Sequence, residues 1–164
     1  MFAADVLGPT VDRLEQLAAG GAVLEFAIGT GRVALPLLAH GVPVSGIEIA
    51  PAMLAQLRRS ADAQALPVVI GDMATTRVPG NFDLVFLVFN GISNLLTQDD
   101  QIACFQNAAR HLAPGGAFVI ELWVPELPRP AAPQAMAGRA DPFYLMIDTF
   151  DTVAQKGHFA PHPL

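Results

Sequence analysis

Glu25 and Glu48 are the residues best placed to do chemistry. Glu25 sits inside the short apolar run Val23-Leu24-Glu25-Phe26, which leads through Ala27-Ile28 into Gly29-Thr30-Gly31. Arg32, Val33, Ala34, Leu35, Leu37 and Leu38 then open a helical pattern. Glycines at such a strand-to-helix turn let the backbone approach a ligand without Cβ clashes. The next strand-like run, Val42 to Ile49, carries Glu48 near its end. A carboxylate there can accept both hydroxyls of a ribose.

Two ligands suit this hinge. Gly29-Thr30-Gly31-Arg32-Val33-Ala34 satisfies G-x-G-x-x-G/A, and Glu48 follows at the spacing of about 20 residues that marks a dinucleotide site. That pattern alone is weak, and Glu25 opposes it: a carboxylate facing a pyrophosphate is repelled. S-adenosyl-L-methionine has no phosphate and carries a sulfonium and an ammonium, so an acid beside its amino-acid end attracts it. The methyl donor is the favoured ligand of this stretch, and NAD(P) with oxidoreductase chemistry is the rival.

Composition narrows the field. The chain has 164 residues, long enough for one domain with a sizeable core. Nine Lys+Arg against 15 Asp+Glu give a net charge of −6, which argues against a nucleic-acid partner. Charged residues are 15%, against a usual value of about 25%, while hydrophobic ones reach 52%. Even so, the most apolar run, Leu84 to Phe89, is far shorter than the roughly 20 residues of a membrane span. No basic-then-apolar leader opens the sequence, so the expected location is cytoplasmic. The lone Cys104 excludes an internal disulfide or a cysteine-rich metal site.

The elements that must hold the two acids follow from periodicity. A lead-in helix ends at Gly20-Gly21, with Val11, Leu14, Leu17 and Ala18 on its apolar face. Strands are expected at 22–27, 42–49, 67–70, 82–89 and 117–122, with helices between most of them. Pro36 should remove one hydrogen bond from the second helix and bend it slightly. Pro51 opens a third helix with Met53, Leu54 and Leu57 inward. Thr97 caps a fourth, with Asp100 at its third position and Ile102, Phe105, Ala109 and Leu112 as its core face. Five strands joined by helical crossovers predict an α/β fold: a doubly wound, mostly parallel sheet with helices on both faces. Residues 1–123 make this domain. Prolines mark 124–142 as loop, and 143–164 reads as an extra strand (143–152) and an unstructured tail.

With these residues in place, the chain resembles the S-adenosylmethionine-dependent methyltransferases of the Rossmann-like class, closest to bacterial small-molecule methyltransferase-domain proteins. The resemblance covers roughly residues 5–125. The family's loop reads acid-x-Gly-x-Gly-x-Gly; Glu25, Gly29 and Gly31 match, Thr30 lies between them, and Ala27 replaces the first glycine. The resemblance implies that Glu48, with Ile49 after it and Met53 nearby, holds the ribose. Asp72 and Met73 match the adenine-contacting position, and Phe89-Asn90 the turn facing the donor's methionine part. It implies methyl transfer to an oxygen, nitrogen or carbon of a small molecule, with no catalytic base identified. An inactive donor-binding module is the alternative.

The departure lies after Trp123. The family's sheet is closed by an antiparallel strand pair that this sequence does not supply, so the chain reads as truncated. The fifth strand should then carry an open edge, covered by residues 143–152 or by self-association. Other residues have plain structural readings. Cys104 is a small core hydrophobe, and His40 and His111 suit helix C-termini. His158 and His162 make no convincing metal pair.

Overall fold

The computed structural model describes residues 4–64, 66–123, 134–140, 144–151 and 156–163. The chain forms two compact units that divide after Trp123. The first contains helices α1 (Ala4–Ala18), α2 (Ala34–Ala39), α3 (Pro51–Leu57) and α4 (Gln98–His111). Its strands are β1 (Val23–Phe26), β2 (Val44–Glu48), β3 (Val68–Ile70), β4 (Phe82–Leu87) and β5 (Leu112–Ile120). They build one five-stranded sheet in the order β3-β2-β1-β4-β5, with every pairing parallel. The doubly wound parallel sheet expected from the sequence is present.

Central strands covered on both faces must be apolar almost throughout. In β1 all four residues are buried, and they alternate between two cores. Val23 packs with Val11, Leu14, Ala34 and Leu37 below α1 and α2. Leu24 and Phe26 join Met73, Leu87, Cys104 and Ala108 on the α4 side. Burying a side chain of Phe26's size contributes about 1.5–3 kcal/mol, so β1 is anchored from both sides. The chain order reverses direction between β1 and β4. In open α/β sheets a crevice forms at that reversal, outside the carboxyl ends of the strands.

Helix termini obey local chemistry. Thr97 caps α4, its Oγ1 accepting the Asp100 N–H at 3.1 Å. Pro36 falls at the third position of α2, with the Leu35 and Leu37 N–H groups bonding Gly31 and Val33 on either side of it. The buried face of α4 differs from expectation. It consists of Cys104, Asn107, Ala108 and His111, whereas Ile102 and Phe105 are about half exposed. Met53, expected inward, is 48% exposed. His40 does not simply serve the helix dipole; its Nδ1 lies 2.7 Å from Glu15 Oε2 in an exposed pair that adds little stability. The fifth strand, expected at 117–122, begins earlier as β5, so that Pro114-Gly115-Gly116 lie within it at a shift in its register against β4.

The second unit is a three-stranded antiparallel sheet, β6 (Gln134–Ala140), β7 (Tyr144–Asp151) and β8 (Lys156–Pro163), in the order β6-β7-β8. Two expectations are corrected here: β6 occupies part of the stretch read as loop, and β8 occupies the tail read as unstructured. Pro161 and Pro163 hid β8. They stand two residues apart on an edge strand, so both missing N–H groups fall on the same side of it. The expected strand at 143–152 exists as β7, which bonds to β6 on one side and β8 on the other. Among the described residues no helix is long and apolar enough to cross a membrane.

Candidate functional site

The residues singled out from the sequence gather at the carboxyl ends of β1, β2, β3 and β4. After β1 the chain turns through Ala27, Gly29 and Gly31, all at positive φ (53°, 59° and 77°). The two glycines do different work. A Cβ at Gly29 would meet nothing closer than the Ala27 carbonyl at 3.9 Å, so this backbone faces open space. A Cβ at Gly31 would lie 2.4 Å from Leu57 Cδ1 and 3.2 Å from Leu35 Cγ, so Gly31 is needed for packing. Thr30 between them is exposed. Ala27 holds a left-handed conformation that costs an L-residue roughly 1–2 kcal/mol.

Glu48 ties the loop to the neighbouring strand. Its Oε2 accepts the Gly29 N–H at 2.7 Å and its Oε1 the Ala50 N–H at 2.8 Å, while the residue is 4% exposed. Each carboxylate oxygen has a second lone pair for further donors. Ile49, next in the chain, is 65% exposed, and Ile70, opposite Glu48 in the β2–β3 register, is 47% exposed. Together with Met53 they present apolar surface of the kind that a flat ring covers.

Glu25 is buried and strained electrostatically. Burial holds its carboxyl well above the usual carboxylate range; the Ala34 N–H and the Arg32 charge oppose this shift, and the Glu48 charge adds to it. The N-cap of α2, Val33, offers no side-chain acceptor, so Glu25 serves that helix end from the strand beneath. Its Oε2 has no hydrogen-bond partner among the described residues. A buried carboxylate oxygen left unbonded is costly.

Asp72 follows β3. Its Oδ1 accepts the Ala74 N–H at 2.8 Å, and its carbonyl accepts the Thr75 and Thr76 N–H groups at 3.1 and 2.8 Å. Met73 is only 7% exposed and packs with Leu24 and Phe26, so its side chain belongs to the core. Cys104 lies in the same core, where burial, and secondarily the Asp72 charge, push its thiol up to about 11. Such a thiol is a poor nucleophile at neutral pH.

At the end of β4, Phe89 and Asn90 are both left-handed, at φ 55° and 57°. Two such non-glycine residues cost of order 1–3 kcal/mol each. The Arg32 guanidinium lies 3.2 Å from the Phe89 ring centroid, an interaction worth about 0.5–2 kcal/mol. That alone does not offset the strain. The tip of β5 adds three bonds: the Asn90 N–H to the Glu121 carbonyl at 3.2 Å, the Phe89 N–H to Glu121 Oε2 at 3.4 Å, and the Trp123 N–H to Asn90 Oδ1. Arg32 and Glu121 were not singled out from the sequence. Arg32 could have been, as the residue that follows Gly31; Glu121 gives no local signal.

A buried polar cluster on α4 was also missed. Asn107 Nδ2 donates to the Met73 and Thr76 carbonyls, each at 2.9 Å, and the residue is 0% exposed. His111, also 0% exposed, accepts the Val78 N–H on Nε2 at 2.9 Å; its Nδ1 lies 2.8 Å from the Asn107 carbonyl. These partners fix the neutral tautomer with the proton on Nδ1. Burial lowers the His111 pKa, against a rise from the Asn107 bond and with a further lowering from the Arg77 charge. Its place at a helix C-terminus is thus a structural joint and not a surface dipole pairing. Among the described residues no cluster of His, Cys, Asp and Glu could hold a metal ion.

Comparison with known proteins agrees with this geometry. A family described as "Methyltransferase domain" matches residues 23–116. The dTDP-4-amino-2,3,4,6-tetradeoxy-D-glucose N,N-dimethyltransferase of Saccharopolyspora spinosa is 34% identical over 102 residues, 62% of this chain and 40% of that protein. The demethylmenaquinone methyltransferase of Thermus thermophilus is 37% identical over 103 residues, 60% of this chain and 45% of that protein. Among solved structures, the CcbJ methyltransferase of Streptomyces caelestis superposes with a TM-score of 0.79 at 28% identity, covering 99% of this chain and 75% of that one. The chain spans less than half the length of these curated relatives. Its glycine turn, its strand order and a match over more than half its residues agree: the chain belongs to the methyltransferase-domain family.

Proposed function

We propose that the chain binds S-adenosyl-L-methionine across the carboxyl ends of β1–β4 and directs its methyl group to a small-molecule nucleophile. The observation that carries this reading is the pair of buried acids around an open glycine turn, one of which, Glu25, keeps an unpartnered oxygen. A dinucleotide would bring its pyrophosphate to these carboxylates; the donor brings a cation.

When bound, the donor supplies an electrophilic methyl on a positively charged sulfur. Glu25 Oε2 accepts the donor's ammonium, which relieves the cost of its burial. Glu48, held by the Gly29 and Ala50 amides, accepts the ribose hydroxyls with its remaining lone pairs. Gly29, Thr30 and Gly31 give the close backbone approach, and Ala27 lines the same turn. Ile49 and Met53 flank the ribose and adenine, Asp72 and the Met73 backbone meet the adenine edge, and Phe89 and Asn90 line the methionine side. The protein's contribution to rate is orientation and exclusion of water.

For the acceptor we propose the amino group of a small molecule, an amino sugar first. Two of the relatives are named as N,N-dimethyltransferases of amino sugars. We place the protein in the cytoplasm, take residues 1–123 as the donor-binding domain, and propose self-association through the edge strand β5, to be measured by light scattering. Calorimetric titration with S-adenosylhomocysteine and NAD side by side tests the ligand: binding of the first and not the second is expected, and the reverse overturns the reading. Transfer of labelled methyl to amino-sugar, phenol and carboxylate panels then separates an active enzyme from a donor-binding module.

A further inference from the structure

We propose that Asn107 on α4 is a positioning residue for the donor site, setting the conformation of residues 72–78 and through it the carboxylate of Asp72. The proposal rests on the assignment of Asp72 to the adenine end of the donor.

Residues 72–78 contain no strand or helix, yet α4 holds them at four points. Asn107 Nδ2 takes the Met73 and Thr76 carbonyls. His111 Nε2 takes the Val78 N–H. Arg77 reaches back to the Arg110 carbonyl at 2.9 Å. The Asn107 amide has only one sensible orientation, because both neighbours are carbonyl oxygens and only the NH2 group can satisfy them. That orientation leaves Asn107 Oδ1 buried without a hydrogen-bond partner among the described residues. A side chain kept at this cost does something that an apolar residue of the same size cannot. What it does is visible in the connection. The Met73 carbonyl directly follows Asp72, and the Thr76 N–H closes the turn onto the Asp72 carbonyl. Both bonds from Asn107 therefore fix the backbone on which the Asp72 carboxylate is mounted.

The test compares Asn107→Leu, Asn107→Ser and Asp72→Asn with the parent chain. The readouts are binding of S-adenosylhomocysteine and of its analogue lacking the adenine 6-amino group. The Asn107 variants should bind S-adenosylhomocysteine about tenfold more weakly and lose most of the preference for the 6-amino group, as Asp72→Asn does. A change in fold stability alone does not move that preference. In the parent chain, the Asn107 side-chain amide resonances should shift on titration with S-adenosylhomocysteine, although they touch no ligand atom. This measurement needs no variant to fold. Unmoved Asn107 resonances, or folded Asn107 variants with parental preference beside a defective Asp72→Asn, overturn the proposal while leaving the donor site standing. An Asp72→Asn chain with parental preference removes Asp72 from the adenine end, and the Asn107 proposal falls with it.

Discussion

Glu48 Oε2 accepts the Gly29 N–H at 2.7 Å, so the acid ending β2 is bonded to the turn that follows β1. The two most ligand-like features of the sequence are thus one structural unit. A change at Glu48 acts on the glycine turn as well as on any ribose.

Glu48→Ala should weaken S-adenosylhomocysteine binding by about 1–3 kcal/mol, the range for leaving buried donors without a charged acceptor. It should also lower stability, because the Gly29 and Ala50 N–H groups both lose their partner. Calorimetry and thermal melts measure the two effects separately. Unchanged affinity in a folded variant would remove Glu48 from the site.

Glu25→Gln should stabilise the ligand-free chain at neutral pH. The folded pKa of Glu25 is raised above 4.5, so its stabilising contribution is complete below that pH and is lost as pH rises through the folded value. Glutamine does not ionise and removes this slope. The same change should weaken donor binding about tenfold by removing a charge opposite an ammonium. Melting curves from pH 5 to 9 should therefore run flatter for the variant. A parental slope would show that Glu25 is not the titrating group.

Ala27→Gly should raise stability by about 0.5–1 kcal/mol. Glycine relieves a left-handed residue, and the greater freedom of the unfolded chain offsets part of the gain. Donor affinity should hold or improve. A lower melting temperature would contradict the strain assigned to φ 53°.

Gly29→Val and Gly31→Val should fail differently. Valine at 29 extends into open space and carries only the strain of its left-handed φ, so the chain should lose some stability yet stay folded, and bind no donor. Valine at 31 meets Leu57 and Leu35 and should destabilise the fold itself. Circular dichroism with calorimetry distinguishes the two, and equal folding defects would reject the assignment.

The glycine turn and both acids were legible in sequence because their chemistry is local: a turn needs glycine, and a strand-end acid stands out in an apolar run. The sheet was legible for the same reason, since Phe82 to Leu87 is almost wholly apolar and buried. The face of α4 was not. Reading apolar residues selected Ile102 and Phe105, while the structure buries Asn107 and His111, whose partners at Met73, Thr76 and Val78 are distant in sequence. Polar residues become core only through such bonds, and no periodicity shows them. The second sheet was hidden by prolines that an edge strand tolerates.

Trp123 is the chain's one tryptophan, and its backbone N–H donates to Asn90 Oδ1 at the tip of β4 while about half the residue faces solvent. Its indole, carried on that anchored backbone, is a native optical probe next to the Phe89–Asn90 turn, which is proposed to line the donor's methionine side. Its emission colour and quenching by iodide should follow the ordering of the Phe89–Asn90 turn without any label, so donor binding at the proposed site is expected to read out as a fluorescence change.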